Sequence, residues 1–193
     1  MKPVSHGVHH LVERLGNLLR SEARHIVDEP GLQPVQLEVL NYLARCNRYS
    51  DTLLAVTEYM GLTKGTTSQT IKVLVREGYL TRQVDRTDNR VYHLKLTEKG
   101  TVLVNKAIPA GILRRASDQM PETEMEEIER QLRKLLFSLQ SAHAMKTFGI
   151  CGTCQHNQTL QDGYFCKLTQ EPLSREDTFK ICREHEFPTY SNP

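Results

Sequence analysis

The run from Leu53 to Gly78, "LLAVTEYMGLTKGTTSQTIKVLVREG", constrains this chain more than any other stretch. Gly61 divides it into a short helix over Leu53 to Met60 and a second helix from about Lys64 to Glu77, which Gly78 closes. Thr63 stands where an N-cap of the second helix is needed. After Gly78 the apolar period changes: "YLTRQV" and "RVYHLKL" read as strands separated by the polar "DRTDN". That pattern is a β-hairpin with a charged, solvent-facing tip. Two short helices joined by a glycine turn and followed by such a hairpin make a winged helix-turn-helix.

The flanks are helical as well. Val8, Leu11, Val12, Leu15, Leu18 and Leu19 recur at helical spacing and mark a first amphipathic helix to about Val27, ended by Pro30 and Gly31. A second helix starts near Pro34, carries Leu37, Leu40, Leu43 and Ala44 inward, and stops before "NRYSD". Thr97 caps a helix toward Gln119 that Pro109 and Gly111 kink or interrupt. A last long helix from Pro121 places Met125, Ile128, Leu132, Leu135, Leu136 and Leu139 on one face. The fold class is therefore mainly α with a small β-hairpin wing. The first and last helices carry apolar stripes longer than a small core can cover, so a homodimer formed by the N- and C-terminal helices is expected.

The chemistry of the second short helix points to double-stranded DNA. Its first two turns expose Lys64, Thr66, Thr67, Ser68, Gln69 and Lys72, whereas its apolar residues come late. Threonine and serine are mediocre helix formers, and their concentration at one helix start suits contacts to phosphates and base edges. On the hairpin, Arg86 and Arg90 are shaped to enter a minor groove, with Asp85 and Asp88 orienting the arginines through paired hydrogen bonds. From Thr63 to Gly100 there are eight Lys or Arg against four Asp or Glu, although the whole chain carries only +2. The bland alternatives are a solvated surface helix and a hairpin tip that binds nothing.

"GLTKGTTSQTIKVLVREGYLTR", "DRTDNR" and "LKLTEKG" together resemble the recognition helix, wing and following helix start of the MarR family of bacterial transcription regulators. The resemblance spans about Val8 to His143, is detailed from Leu32 to Gly100, and rests on Asp85, Asp88 and Arg90 in a D-x-x-D-x-R pattern. It implies a homodimer with interlocking first and last helices, two reading helices spaced for a palindromic operator, and repression relieved by a small-molecule effector or oxidant. By position, Thr66 to Gln69 and Lys72 would face the major groove, and Arg86 and Arg90 would serve the wing. Gln69 stands where family members often carry arginine, and Pro109 falls inside the fifth helix.

The last quarter of the chain poses a separate question, because it holds Cys151, Cys154, Cys166 and Cys182, four of the five cysteines. No run of about eighteen apolar residues occurs, and "MKPVSHGVHH" lacks the apolar stretch of a secretion signal, so a cytoplasmic protein with no membrane association is expected. Thiols stay reduced in that compartment, and a cluster of them points to a metal or to redox work rather than to disulfides. Cys151 and Cys154 form a C-x-x-C knuckle, and Asp162-Gly163 gives a hairpin turn that returns Cys166 to it. Ser174 and Asp177 resemble a capping box for a helix from Arg175 to about Glu184, which would present Cys182 and His185 on one side.

Four thiolates suit a structural zinc site, with His185 and His156 as substitute ligands; a tail this short needs such a staple. An iron-sulfur cluster is the alternative, and a redox-reactive dithiol the third reading. Cys46, by contrast, reads as a buried inert thiol, and His6, His9 and His10 as surface residues. The resulting division is 1–31 and 101–146 for dimerisation, 32–100 for the winged helix and 147–193 for the cysteine-rich module. Two rival functions remain: a zinc-dependent protein-interaction module, and an enzyme using the tail metal. Cysteine-rich coordination and the lack of a Ser-His-Asp set or phosphate-cradling loop disfavour the enzyme.

Overall fold

The computed structural model describes residues 3–28, 31–85, 88–109, 111–142 and 146–188. Helix α1 (Pro3–Asp28) begins ahead of the first apolar stripe position, and His6, His9 and His10 are exposed on it. Helices α2 (Pro34–Arg45), α3 (Leu53–Met60) and α4 (Lys64–Arg76) follow at the expected places. Each start is capped. Gln36 Oε1 accepts the Gln33 amide at 2.7 Å, Thr52 accepts from Ala55, and Thr63 accepts from Thr66. Gly61 (φ 62°) and Gly78 (φ 74°) end α3 and α4 in the left-handed region, where a side chain would be strained.

The core lies where these three helices meet. Leu37, Leu40 and Tyr42 of α2, Ala55 and Val56 of α3, and Ile71 and Leu74 of α4 are at most 2% exposed. Each large side chain so buried contributes roughly 1.5–3 kcal/mol, which fixes α4 on the bundle. Strands β1 (Leu80–Val84) and β2 (Tyr92–Leu96) pair antiparallel from Leu80↔Leu96 to Val84↔Tyr92. The far edge of β2 is also engaged: the Leu94 amide donates to the Asp51 carbonyl at 2.8 Å, and Thr52 bridges His93. The wing is thereby tied to the α2–α3 connection.

Helix α5 (Glu98–Ala107), capped by Thr97, stops short of the Gln119 limit set by the sequence. Pro109 and Gly111 interrupt it, and a separate α6 (Gly111–Ser117) follows. Helix α7 (Glu122–Ala142) has no buried residue at all, and Ile128, Leu132, Leu136 and Leu139 are 41–55% exposed. Along α1, Leu11, Val12 and Leu15 are exposed in the same way. No helix among the described residues is long and apolar enough to cross a membrane.

Beyond α7 the chain forms strands β3 (Asn157–Leu160), β4 (Gly163–Cys166) and β5 (Glu171–Leu173), paired antiparallel in that order. The expected hairpin turns at Asp162-Gly163, with Leu160 opposite Gly163; the third strand was not anticipated. The helix expected from Arg175 to Glu184 does not form. Ser174 and Asp177 do exchange the reciprocal capping bonds, Ser174 amide to Asp177 Oδ2 at 3.0 Å and Asp177 amide to Ser174 Oγ at 3.1 Å. Only one 3-10 turn, Asp177–Phe179, follows. The reason is Ile181: it is 4% exposed and bridges Cys46 on one side and Ile150 on the other, which requires extended backbone. Burial and two-sided pairing override the local cap.

Candidate nucleic-acid interface and the cysteine cluster beside it

Helix α4 presents its first turns outward. Lys64, Thr66, Gln69 and Lys72 are exposed and Ser68 is half-buried. Thr67 corrects the sequence reading: it is fully buried, and its hydroxyl donates to the Thr63 carbonyl at 3.1 Å, so it faces the core rather than a partner. The Thr66 hydroxyl lies 2.9 Å from Thr63 Oγ1, which orders both at the helix start.

On the wing, Arg86 lies outside the described residues, while Arg90 projects with its side chain 91% exposed. Asp88 holds Arg90 by its backbone amide at 2.9 Å and its Nε at 3.1 Å, and those hydrogen bonds pull the Asp88 carboxyl below its ordinary value. Asp85 accepts the Asp88 amide at 2.9 Å and meets His93 Nε2 at 2.9 Å. The other ring nitrogen of His93 lies 2.5 Å from Asp51, which also binds Lys95 Nζ at 2.5 Å. Hydrogen bonds to Asp85, then to Asp51, raise the His93 pKa above its usual range. Lys64 and Arg90 both line one cleft of about 390 Å³, with Leu53, Leu54, Val91 and Tyr92 in the same lining, so a cation of the helix start and one of the wing meet at one cleft.

The four thiols of the C-terminal module converge. Cys151, Cys154, Cys166 and Cys182 line one cavity of about 30 Å³, room for roughly one water-sized body. Cys151 and Cys154 flank a single 3-10 turn in which the Cys154 amide returns to the Cys151 carbonyl at 3.1 Å. Burial raises the Cys151 thiol to about 11, a hydrogen bond from Asn157 opposes this, and the other three thiols add to it. N–H donors surround the sulfurs: the Glu186 amide at 3.4 Å from Cys154 Sγ and Asn157 Nδ2 at 3.8 Å from Cys151 Sγ. Burial also raises Cys182, against hydrogen bonds from the Asn47 side chain and the Glu184 amide. Among the described residues no group of three or more His, Cys, Asp or Glu side chains is already arranged around a metal position.

The two histidines differ. His185 is 3% exposed, with Nδ1 at 2.8 Å from the Thr147 hydroxyl and Nε2 at 3.0 Å from that of Thr153; both nitrogens are taken, and it does not line the thiol cavity. Burial lowers its pKa, which favours the neutral ring. His156 does line that cavity; its Nε2 is buried without a hydrogen-bond partner, and Glu186, 3.3 Å away, is outside hydrogen-bonding geometry. Cys46 is apart from the cluster: burial, then Asp51, pushes its thiol to about 12, which leaves it protonated and inert.

Sequence reasoning did not find the junction between module and winged helix. The Asn47 amide donates to the Ile181 carbonyl and the Ile181 amide to the Arg45 carbonyl, both at 2.9 Å. The Arg183 amide donates to Ser50 Oγ at 2.9 Å, and its guanidinium forks onto Glu58 of α3 at 2.6 and 2.8 Å. That fork lowers the Glu58 pKa. Arg48 and the Tyr49 hydroxyl both reach Glu171 of β5. Phe148 stacks edge-on against Tyr59 and Tyr42, with centroids 5.3 and 6.2 Å apart. The one available signal was "NRYSD", a polar run between two helices with neither glycine nor proline in it.

With this geometry the chain is similar to known proteins in one respect. The MarR family model matches residues 31–90, less than half of the chain. No curated protein matches it in sequence. A MarR transcriptional regulator from Methanosarcina mazei Go1 superposes with a TM-score of 0.60 at 25% identity, covering 71% of this chain and 98% of that one. S. aureus MepR in its DNA-binding conformation gives 0.60 at 24%, covering 69% and 98%. Streptococcus pneumoniae FabT in complex with DNA gives 0.57 at 22%, covering 72% and 99%. The fold is a MarR-type winged helix. Each of these three structures leaves more than a quarter of this chain uncovered.

Proposed function

We infer that this chain is a sequence-specific DNA-binding transcription regulator of the MarR type, acting as a homodimeric repressor at palindromic operators. One observation carries the reading: the exposed polar start of α4 and the exposed Arg90 of the wing meet at one cleft, which Lys64 and Arg90 both line. Such a pairing of helix start and wing can meet phosphates and a groove together. FabT and MepR, which have similar folds, were both solved with DNA. Lys64, Thr66, Ser68, Gln69 and Lys72 face the major groove, and Arg90, with Arg86, serves the wing. The exposed apolar stripes of α1 and α7 fit burial against a second copy, which would place two α4 helices for a two-fold operator. The matched family comprises regulators without enzymatic activity, and no catalysis is assigned. A cytoplasmic location follows from DNA as the partner.

A small-molecule effector has a place in this reading. Tyr59, Leu132, Phe148, Ile181 and Phe187 line a cleft of about 650 Å³ between α7 and the body. The C-terminal module is read as metal-stabilised, with Cys151, Cys154, Cys166 and Cys182 as ligands to zinc rather than to an iron-sulfur cluster; His156 is the substitute the geometry leaves open. Selection of bound sequences from random duplex DNA tests the reading directly. An enriched inverted repeat is the expected result, and recovery of unenriched DNA rejects it.

A further inference from the structure

We propose that a zinc ion held by Cys151, Cys154, Cys166 and Cys182 locks the Asn47–Asp51 turn against α3, so that metal occupancy sets the affinity of the α4 reader for duplex DNA. The DNA-binding half of this inference rests on the function proposed above; the metal-to-turn half does not.

Three observations lead here. First, the thiols share a cavity of about 30 Å³, and N–H donors of Glu186 and Asn157 approach two of the sulfurs, the environment that supports metal-bound thiolates. As four Zn–S bonds form, four S–H protons leave to solvent and the centre carries −2. Donors aimed at sulfur stabilise that charge. Second, Asn47 belongs to both structures. It lines the thiol cavity and donates its backbone amide to the Ile181 carbonyl at 2.9 Å, while its Oδ1 accepts from the Ser50 hydroxyl at 2.6 Å and the Tyr49 amide at 3.2 Å. Third, the residue after Cys182 clamps the reader: Arg183 donates its amide to Ser50 and its guanidinium to Glu58 of α3. Ser50 is fully buried and Asp51, the next residue, holds His93 and Lys95 of the wing. A ligand cysteine is thus one residue from the ion pair on α3 and two hydrogen bonds from the wing.

Without the ion, Ile181 stays in the winged-helix core and Arg183 keeps its bonds to Ser50 and Glu58, but Cys182 is no longer tied to the other three thiols. The Ser50 and Glu58 anchors then lose the restraint on the residue next to them and loosen together. Coupling through one such joint is expected to change affinity about tenfold, within the usual 5–150-fold range.

The test uses the full chain. Zinc per chain is measured by elemental analysis, then removed with a chelator and restored as zinc alone, under reducing conditions. Hydrogen exchange at 47–51 and α3, and affinity for a selected duplex, are read in each state. The expected results are one zinc per chain, faster exchange at 47–51 and α3 when stripped, and about tenfold weaker duplex binding, all reversed by zinc. Arg183→Gln should retain zinc yet bind the duplex like the stripped protein. A coloured iron-sulfur chromophore, absence of zinc with no uptake, or unchanged exchange on stripping overturns the metal-to-turn linkage. Equal duplex affinity in both states overturns its link to DNA. If exchange responds to zinc but the loaded protein binds no duplex, the linkage stands and the DNA-binding reading falls.

Discussion

The winged helix and the cysteine module, joined edge to edge, are held together by different physics. Residues of α2, α3 and α4 exclude water from a continuous apolar core, and every helix start in that unit has its cap. The module's described residues bury only Cys151, Leu173 and Ile181 among apolar side chains, and Ile181 belongs to the winged helix's core. What remains is a small three-stranded sheet, buried polar Thr178 and His185, ion pairs and thiols. A unit of this kind needs a crosslink that burial does not provide. The lesson is that a segment with few buried apolar side chains can be fastened to a well-cored unit through the polar side chains of one turn.

The contrast breaks first at the core. Leu40→Ala, at a position with no exposure, should cost roughly 2–5 kcal/mol in urea unfolding, equally in zinc-loaded and stripped protein. A larger loss in the stripped protein would mean that the two regions share one stability. A pair of glycines sharpens the comparison. A Cβ on Gly100 would stand 2.4 Å from the Tyr79 carbonyl oxygen, and one on Gly149 2.5 Å from the His185 ring. Each alanine should cost about 1–3 kcal/mol. Gly100→Ala should lower the midpoint of global unfolding, whereas Gly149→Ala should leave that midpoint in place and speed proteolysis after residue 146.

Smaller still is the cap. Thr63→Ala removes the acceptor for the Thr66 amide and should cost about 1 kcal/mol, read by thermal unfolding. Its effect on duplex affinity should exceed its effect on zinc retention. The least effect is a pH dependence confined to the wing. His93 has a raised pKa in the folded protein, so its ion pairs with Asp85 and Asp51 are fully present below the unfolded value of about 6.5 and are lost as pH rises through the folded value. NMR titration should give a His93 midpoint above that of the exposed histidines. A midpoint at or below theirs would remove the electrostatic tie between wing and turn.

Most of the winged helix was legible in the sequence because its signals are local. Gly61, Gly78, Thr63 and Thr97 fix ends, and the change of apolar period at Tyr79 fixes the wing. Thr67 was misread because hydroxyls serve a core as readily as a surface when a carbonyl one turn back accepts them. The module was half legible: the knuckle and hairpin follow from spacing, but the helix expected at Arg175 fails because Ile181 finds strand partners from distant segments. The joint itself, Asn47, Ser50, Asp51, Glu58, His93 and Arg183, includes the Ser50–Arg183 pair 133 positions apart, and no periodicity reports such pairs. Arg183 lies beside a cysteine already singled out, yet nothing local gives it Glu58 as a partner.

The most direct test of the central claim is the salt dependence of binding to a selected duplex, measured for the natural chain and for Arg90→Ala. Binding should weaken steeply with salt, as released counterions require, and Arg90→Ala should reduce the log–log slope by about 1 while leaving the zinc content unchanged. A chain that ignores every duplex at low ionic strength, or an Arg90→Ala protein with the slope and affinity of the natural one, would contradict the account.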